Sequence, residues 1–259
     1  MRSQATPWYD GGTLLHHLET VNVGADRNLV EKVRYAKEKG IKEVGVISNG
    51  SLITEDAARG MIDAGLDAIN ISVDASGKEV FESTRIGLKY DKVIANIERL
   101  VRLRAEYGKR RPKLILSFVR QNNSADEQAF IEHWRKIADK IHITDLHNWG
   151  GTLNQESDVN YPCYRPWLTF TVLWDGRVSL CCADFDGHTI LGDMNTSSIR
   201  EIWNNDLYRS VRREHLVAIA KANFEAARRN PNAQTRKWTL TDAHFEDSDE
   251  VNPRIAPCW

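Results

Sequence analysis

The sequence predicts an α/β chain in which parallel strands and helices build a parallel sheet or open barrel, followed by a small α+β domain that begins with a β-hairpin. Two observations predict the first part. Short β-branched runs alternate with amphipathic helical stretches between Asn28 and Asp145, and Gly or Asn-Gly stops mark most changes from one to the next. A third observation predicts the second part: two runs, Leu168 to Trp174 and Arg177 to Leu180, fold back on Asp175-Gly176 with a cysteine beyond each outer end.

Residues Met1 to Asp26 have weak periodicity, and one short strand is expected there, at Leu18 to Val23. From Asn28 to Lys39 the apolar positions Leu29, Val33 and Ala36 share a helical face, with Asp26 as the expected N-cap and Gly40 as the stop. Glu43 to Ser48 reads as a buried parallel strand, and Asn49-Gly50 turns the chain out of it. Thr54 caps a helix through Ala64, Gly65 stops it, and Ala68 to Asp74 is the next strand. A loop is expected through Gly87. Asp91 then opens a long helix that Gly108 and Pro112 end, and Lys113 to Val119 is a third strand. Ser124 and Glu127 form an expected capping box for a helix ending near Asp139, and Ile141 to Asp145 is a fourth strand.

Beyond the hairpin, Asp206 to Arg229 reads as one long helix, and Asn230 to Pro257 is polar and irregular. The expected domains are therefore a poorly defined 1–27, a partial barrel over 28–155, a small domain over 156–230 and a tail over 231–259.

Composition sets mild bounds. With 259 residues, 41% of them apolar, and a formal net charge of -1, the chain can bury a sizeable core in one large and one small domain. No partner class follows from the charge, and neither a nucleic-acid nor a membrane partner is expected. The oligomeric state is not legible. There is no apolar run of membrane-spanning length and no recognisable signal peptide, so a cytoplasmic setting is expected. Four cysteines, two adjacent at Cys181-Cys182, do not form a disulfide framework, and clustered thiols in a reducing compartment more often serve metals. The hairpin would bring Cys163 and Cys181 side by side, as a pair of metal or cluster ligands requires.

The segment from Cys163 to Trp203 resembles the start of the SPASM or twitch auxiliary domain of radical S-adenosylmethionine enzymes. It has Cys163, twelve intervening residues, Gly176, four more and Cys181, then a Leu191-Gly192-Asp193 turn and a Ser198-Ile-Arg-Glu-Ile-Trp203 helix. The barrel part resembles the same superfamily in Ser48-Asn49-Gly50, in Ser72-Val73-Asp74 and in Ser83-Thr-Arg-Ile-Gly87. The resemblance implies a (β/α)6-type barrel, with Asn49 and Ser72 touching S-adenosylmethionine and Arg85 pairing with its carboxylate. It implies that Cys163 and Cys181 ligate an auxiliary [4Fe-4S] cluster, with Cys258 a further ligand if the tail folds back. Read from the residues alone, Asn-Gly makes turns, Ser and Asp cap helices, Arg85 is a solvated loop charge and Cys258 a tail thiol.

The same resemblance calls for a Cys-x3-Cys-x2-Cys loop after the first strand, whose cluster reduces S-adenosylmethionine to a 5′-deoxyadenosyl radical. No cysteine precedes Cys163, and Val23-Gly-Ala-Asp-Arg27 stands where a Gly-Gly-Glu-Pro loop is expected. Truncation at both ends is thus expected, with about four of six barrel strands present, no catalytic residue assigned and the chain inactive alone. Two function classes remain: a radical S-adenosylmethionine oxidoreductase that modifies peptides or small metabolites, and a non-catalytic cluster-, zinc- or peptide-binding module derived from it. A truncated gene product with no function of its own is a third.

Overall fold

The β-branched runs do become parallel strands. The computed structural model describes residues 15–19, 26, 28–108, 110–120, 124–145 and 165–229. These fall into two compact units, one within residues 9–146 and one containing 165–229.

In the first unit the elements run β1 (Leu15–Glu19), α1 (Leu29–Glu38), β2 (Glu43–Ser48), α2 (Glu55–Asp63), β3 (Ala68–Ser72), α3 (Lys78–Thr84), α4 (Tyr90–Glu106), β4 (Lys113–Arg120), α5 (Ser124–Trp134) and β5 (Lys140–Asp145). The strands form a five-stranded sheet in the order β1-β2-β3-β4-β5, every neighbouring pair parallel. Strand order that follows chain order is the arrangement of a singly wound barrel wall, whereas a doubly wound sheet reverses its order at a switch point. Residues from α1, α2, α4 and α5, among them Leu29, Val33, Met61, Val93, Ile97, Leu100, Phe130 and Trp134, pack in one core with Val44, Val46, Ile69, Ile71, Leu114, Leu116 and Phe118 of the sheet. One face of β2, β3 and β4 is therefore the helix side.

Two carboxylates, the buried Asp67 and the more exposed Asp139, fasten the amino ends of the strands. Asp67 accepts from the Val44 amide at 2.8 Å and from Lys37 Nζ at 2.7 Å, and its other oxygen accepts from Arg111. Asp139 accepts from the Leu114 amide at 2.7 Å and from Arg104.

Several expectations need correction. The amino-terminal strand starts at Leu15 and covers Leu15–Glu19, while residues 20–23 of the expected Leu18 to Val23 strand lie outside the described residues; it adds a fifth parallel strand to the four expected. Asp26 is not the cap of α1: Asn28 is, and Asp26 Oδ1 instead closes a local turn by accepting the Asn28 amide at 3.0 Å. The supposed loop before Gly87 contains α3, a helix of polar residues with one buried anchor, Phe81. Helix α5 stops at Trp134 and not near Asp139; Glu127 accepts from Arg120 at 2.7 and 3.2 Å, and the expected capping box with Ser124 lies outside the described side chains. The cap of α2 is as expected, the Thr54 hydroxyl accepting the Ala57 amide at 3.2 Å.

The second unit holds α6 (Arg165–Leu168), β6 (Thr171–Val172), β7 (Arg177–Ser179), β8 (Ile190–Asp193), α7 (Ile199–Trp203) and α8 (Asp206–Arg229). The hairpin forms about Gly176, whose φ of 93° suits the turn, but Leu168 ends a helical turn and does not start the strand. Leu191-Gly192-Asp193 is strand β8, antiparallel to β7, and not a turn. It needs Gly192 because a Cβ there would stand 2.6 Å from Ile202 Cγ2 of α7. Ser198 and Glu201 form the capping box of α7, and α8 covers the predicted span.

Candidate functional site

At the carboxyl ends of β2 and β3 the chain places the three residues expected to meet S-adenosylmethionine. Ser48 is buried and its hydroxyl accepts the Gly50 amide at 3.0 Å. Asn49 Oδ1 accepts from the Ser51 amide at 3.0 Å and from the Ser51 hydroxyl at 2.9 Å, which points its amide nitrogen away from these bonds. Gly50 adopts φ +75°, and a Cβ there would lie 2.9 Å from Ile71 Cγ2 and 3.0 Å from Val93 Cγ1. Its carbonyl accepts Asn96 Nδ2 at 2.8 Å, so α4 holds the turn in place.

Just beyond β3, the Val73 and Asp74 amides both donate to the Ser117 carbonyl, at 3.0 and 3.2 Å, and Asp74 takes φ 60° although it is not glycine. Such a left-handed residue is held only where its surroundings demand it. Asp74 is 6% exposed; one carboxylate oxygen accepts the Val119 amide at 3.0 Å and the other accepts Arg85 Nη2. Arg85 was expected to meet a ligand carboxylate, and the structure gives it a protein carboxylate, Asp74. The next turn is held by Asp126, which accepts the Ser76 amide at 2.9 Å and the Ser76 hydroxyl.

Three donors are left over at this edge. Among the described residues no acceptor meets Asn49 Nδ2, the Ser72 hydroxyl or Arg85 Nε, and Arg85 Nε is buried. Unmade hydrogen bonds on buried groups are uncommon in folded chains. Their grouping fits a ligand that carries carboxylate and hydroxyl acceptors. On the sheet face away from the helices, Ser117 of β4 and His142 of β5 lie in register with Ser72 of β3, and the Ser117 hydroxyl donates at 2.6 Å to Oδ1 of Asn70, two residues earlier in β3. Burial, with Lys140 nearby, pushes the His142 imidazole below its ordinary value and keeps it neutral near pH 7. Asn70, Ser117 and His142 were not singled out from the sequence; alternation within Ala68–Ser72 was the available signal for Asn70.

In the second unit β7 ends at Ser179, and Cys181 and Cys182 stand in the loop that follows, each half-buried. The strand rule that would point them to opposite sides does not apply. Cys182 Sγ instead lies 2.8 Å from Arg165 Nη1. Asp184 organises the loop, accepting the His188 amide at 2.8 Å, the Thr189 amide at 3.0 Å and the Ser179 hydroxyl at 2.9 Å. Cys163 and Cys258 lie outside the described residues, so the Cys163–Cys181 pairing does too. No three His, Cys, Asp or Glu side chains are grouped for a metal among the described residues. Of the thiols read as cluster ligands, Cys181 is the one among the described residues, half-buried just past the end of the hairpin; in the same unit Tyr208 is fully buried and its hydroxyl meets no partner among the described residues.

Residues 10–108 match the radical SAM superfamily, and residues 163–229 match SPASM, an iron-sulfur cluster-binding domain. This chain belongs to the radical SAM superfamily and carries a SPASM auxiliary domain. Among curated proteins it is 30% identical over 125 residues to a probable GTP 3′,8-cyclase of Metallosphaera sedula, a match covering 48% of this chain and 38% of that one. A probable GTP 3′,8-cyclase of Saccharolobus islandicus is 31% identical over a similar stretch, 48% of this chain and 39% of the relative. The aligned stretch thus spans well under half the length of these relatives. Among solved structures, Streptococcus suis SuiB bound to its precursor peptide SuiA has a TM-score of 0.58 at 12% identity, with 76% of this chain and 55% of that one covered. For anSMEcpe with bound AdoMet and a peptide the TM-score is 0.51 at 16% identity, covering 71% and 63%. At these identities the likeness is one of fold. No helix among the described residues is long and apolar enough to cross a membrane.

Proposed function

We propose that this radical SAM chain binds S-adenosylmethionine at the carboxyl edge of β2 and β3 and an auxiliary [4Fe-4S] cluster in the SPASM unit, in the service of an enzyme that modifies a peptide. The observation that carries the reading is the set of three unused donors, Asn49 Nδ2, Ser72 Oγ and Arg85 Nε, at the sheet edge. Arg85 would hold the carboxylate of S-adenosylmethionine with the edge of its guanidinium that Asp74 leaves unused, and Ser72 and Asn49 would take its other polar atoms. Cys163, Cys181 and Cys258 are the thiols that would hold the auxiliary cluster, which when bound supplies one-electron chemistry. SuiB and anSMEcpe are both known with peptides bound, which supports a peptide substrate. A small metabolite is the second reading, supported by the GTP 3′,8-cyclases.

Calorimetric titration of the full chain with S-adenosylmethionine tests the proposal. Binding that Ser72→Ala and Arg85→Ala each weaken about tenfold, about 1.4 kcal/mol, is the expected result. Equal affinity in parent and both variants, or no binding by the parent, would overturn it.

A further inference from the structure

The loop that carries Asn49 out of β2 is held by two side chains of α4 that stand one helical turn apart. Asn96 Nδ2 donates to the Gly50 carbonyl at 2.8 Å, and Arg99 Nη1 donates to the Ile53 carbonyl at 3.1 Å. The same Arg99 nitrogen donates to Asn96 Oδ1 at 2.6 Å, so the two grips are joined. Residues at this spacing on a helix lie on one face, and here they meet two loop carbonyls that have the same spacing. Both ends of the stretch from Gly50 to Ile53 are thereby fixed to one helix, 46 residues further along the chain.

Asn96 is the unusual member of its face. It is 5% exposed and lies among Val93, Ile97, Leu100 and Leu103, each 1% exposed or less. Asparagine is a weaker helix former than leucine, and an amide buried on an apolar face costs stability unless its hydrogen bonds are made. Both of its polar atoms are used here, one on the loop and one on Arg99. Packing alone would be better served by an aliphatic side chain, so what the asparagine adds is a fixed place for the loop. Next to Gly50 stands Asn49, whose Oδ1 is engaged by Ser51 within the same loop. Fixing Gly50 and Ile53 therefore fixes the direction in which Asn49 Nδ2 is presented.

We propose that Asn96 and Arg99 are positioning residues for S-adenosylmethionine, setting through the loop the place from which Asn49 Nδ2 donates to it. The proposal rests on the reading of Asn49 as a residue that touches this ligand. A donor already held in its bound place loses less freedom on binding than one on a loose loop, and the difference appears as affinity. Releasing the loop thus weakens binding without removing any group that meets the ligand.

Two measurements on the full chain test this. In the amide nitrogen–proton correlation spectrum without ligand, the side-chain amide pair of Asn49, identified by its loss in Asn49→Ala, should move in Asn96→Ala and in Arg99→Met. Calorimetric titration with S-adenosylmethionine should find each of these two variants about fivefold weaker than the parent. Asn96→Ala combined with Asn49→Ala should be no weaker than Asn49→Ala alone, because the one acts through the other. Combined with Ser72→Ala, on the neighbouring strand and with no shared partner, its loss should instead multiply. Leu103→Ala removes buried packing from the same helix, so it should lower the melting temperature and keep the parent's affinity. Arg99 is half-buried, and Arg99→Met carries the test where Asn96→Ala does not fold. An unmoved Asn49 amide, a multiplied loss with Asn49→Ala, or an equal loss in Leu103→Ala would overturn the positioning role and leave the ligand reading standing. Parent affinity in Asn49→Ala, or no binding by the parent, would overturn the ligand reading and this proposal with it.

Discussion

Arg85 reaches back eleven residues to Asp74: its Nη2 donates to one carboxylate oxygen while the other accepts the Val119 amide at 3.0 Å. One buried side chain thus joins the ends of β3 and β4 to the loop after α3, and it does so from a backbone φ of 60°. Asparagine tolerates that backbone and can still accept from Val119, so Asp74→Asn removes the charge with little else. The affinity for S-adenosylmethionine should fall about five- to tenfold as Arg85 loses its anchor, about 1–1.4 kcal/mol. Calorimetry on the folded variant checks this, and unchanged affinity would detach the ion pair from the site.

Gly50→Ala should lower stability by about 2–4 kcal/mol. The left-handed backbone costs a residue with a Cβ about 1–2 kcal/mol, and the new methyl meets Ile71 and Val93 at 2.9 and 3.0 Å. Urea unfolding followed by circular dichroism measures the change; a loss below about 0.5 kcal/mol would mean that the turn relaxes freely.

Strand identity was readable where burial and propensity agree. Glu43–Ser48 and Lys113–Arg120 are β-branched or apolar runs covered by helices on one face, and their pattern survives without knowledge of the neighbours. Leu15–Glu19 reads Leu-His-His-Leu-Glu, and only its register against β2 makes it a strand. Lys78–Thr84 likewise has a single buried anchor, Phe81, too little for a periodic signal. The site was legible as motifs, Asn49 and Ser72 at strand ends, because turns announce themselves locally. The Asp74–Arg85 pair and the Asn96–Gly50 contact depend on which groups tertiary packing leaves facing one another, and no spacing records that.

Asp67→Ala should destabilise the barrel unit by about 3 kcal/mol and leave S-adenosylmethionine affinity unchanged in the folded protein. The side chain is 8% exposed and holds the Val44 amide, Lys37 and Arg111 at the amino end of the sheet, so its loss strands a buried amide and two cations. Denaturant unfolding and calorimetry on the same preparation separate the two effects. An affinity loss matching that of Asp74→Asn would contradict the division between a structural amino edge and a ligand-binding carboxyl edge.

The loop after β7 should loosen in acid. Burial raises the Asp184 carboxyl, but the Thr189 amide, the Ser179 hydroxyl and the His188 amide and ring together outweigh it and hold the group below its ordinary value of 3.8. A carboxyl depressed on folding contributes stability that is fully present above the unfolded value and is lost as pH falls through the folded one. The SPASM unit should therefore lose stability below about pH 4, and Asp184→Asn should be less stable at pH 7 while losing most of that acid dependence. Thermal melts from pH 3 to 7 decide it, and parallel curves for parent and variant would show that Asp184 is not the titrating group.

The two neighbouring thiols should behave differently. Cys182 is engaged by Arg165 at 2.8 Å, a contact that ties the loop to α6, whereas Cys181 is half-buried just beyond β7. If Cys181 is a cluster ligand, Cys181→Ala should remove most of the iron taken up under anaerobic reconstitution, together with the thiolate-to-iron absorbance near about 400 nm. Cys163→Ala should do the same, while Cys182→Ala should keep both signals and show only a loss of stability of about 1–2 kcal/mol from the missing contact with a charged partner. Iron assay and absorbance on the three variants side by side are sufficient. Retention of iron by Cys181→Ala with loss in Cys182→Ala would exchange the two assignments and place the ligating sulfur beside Arg165.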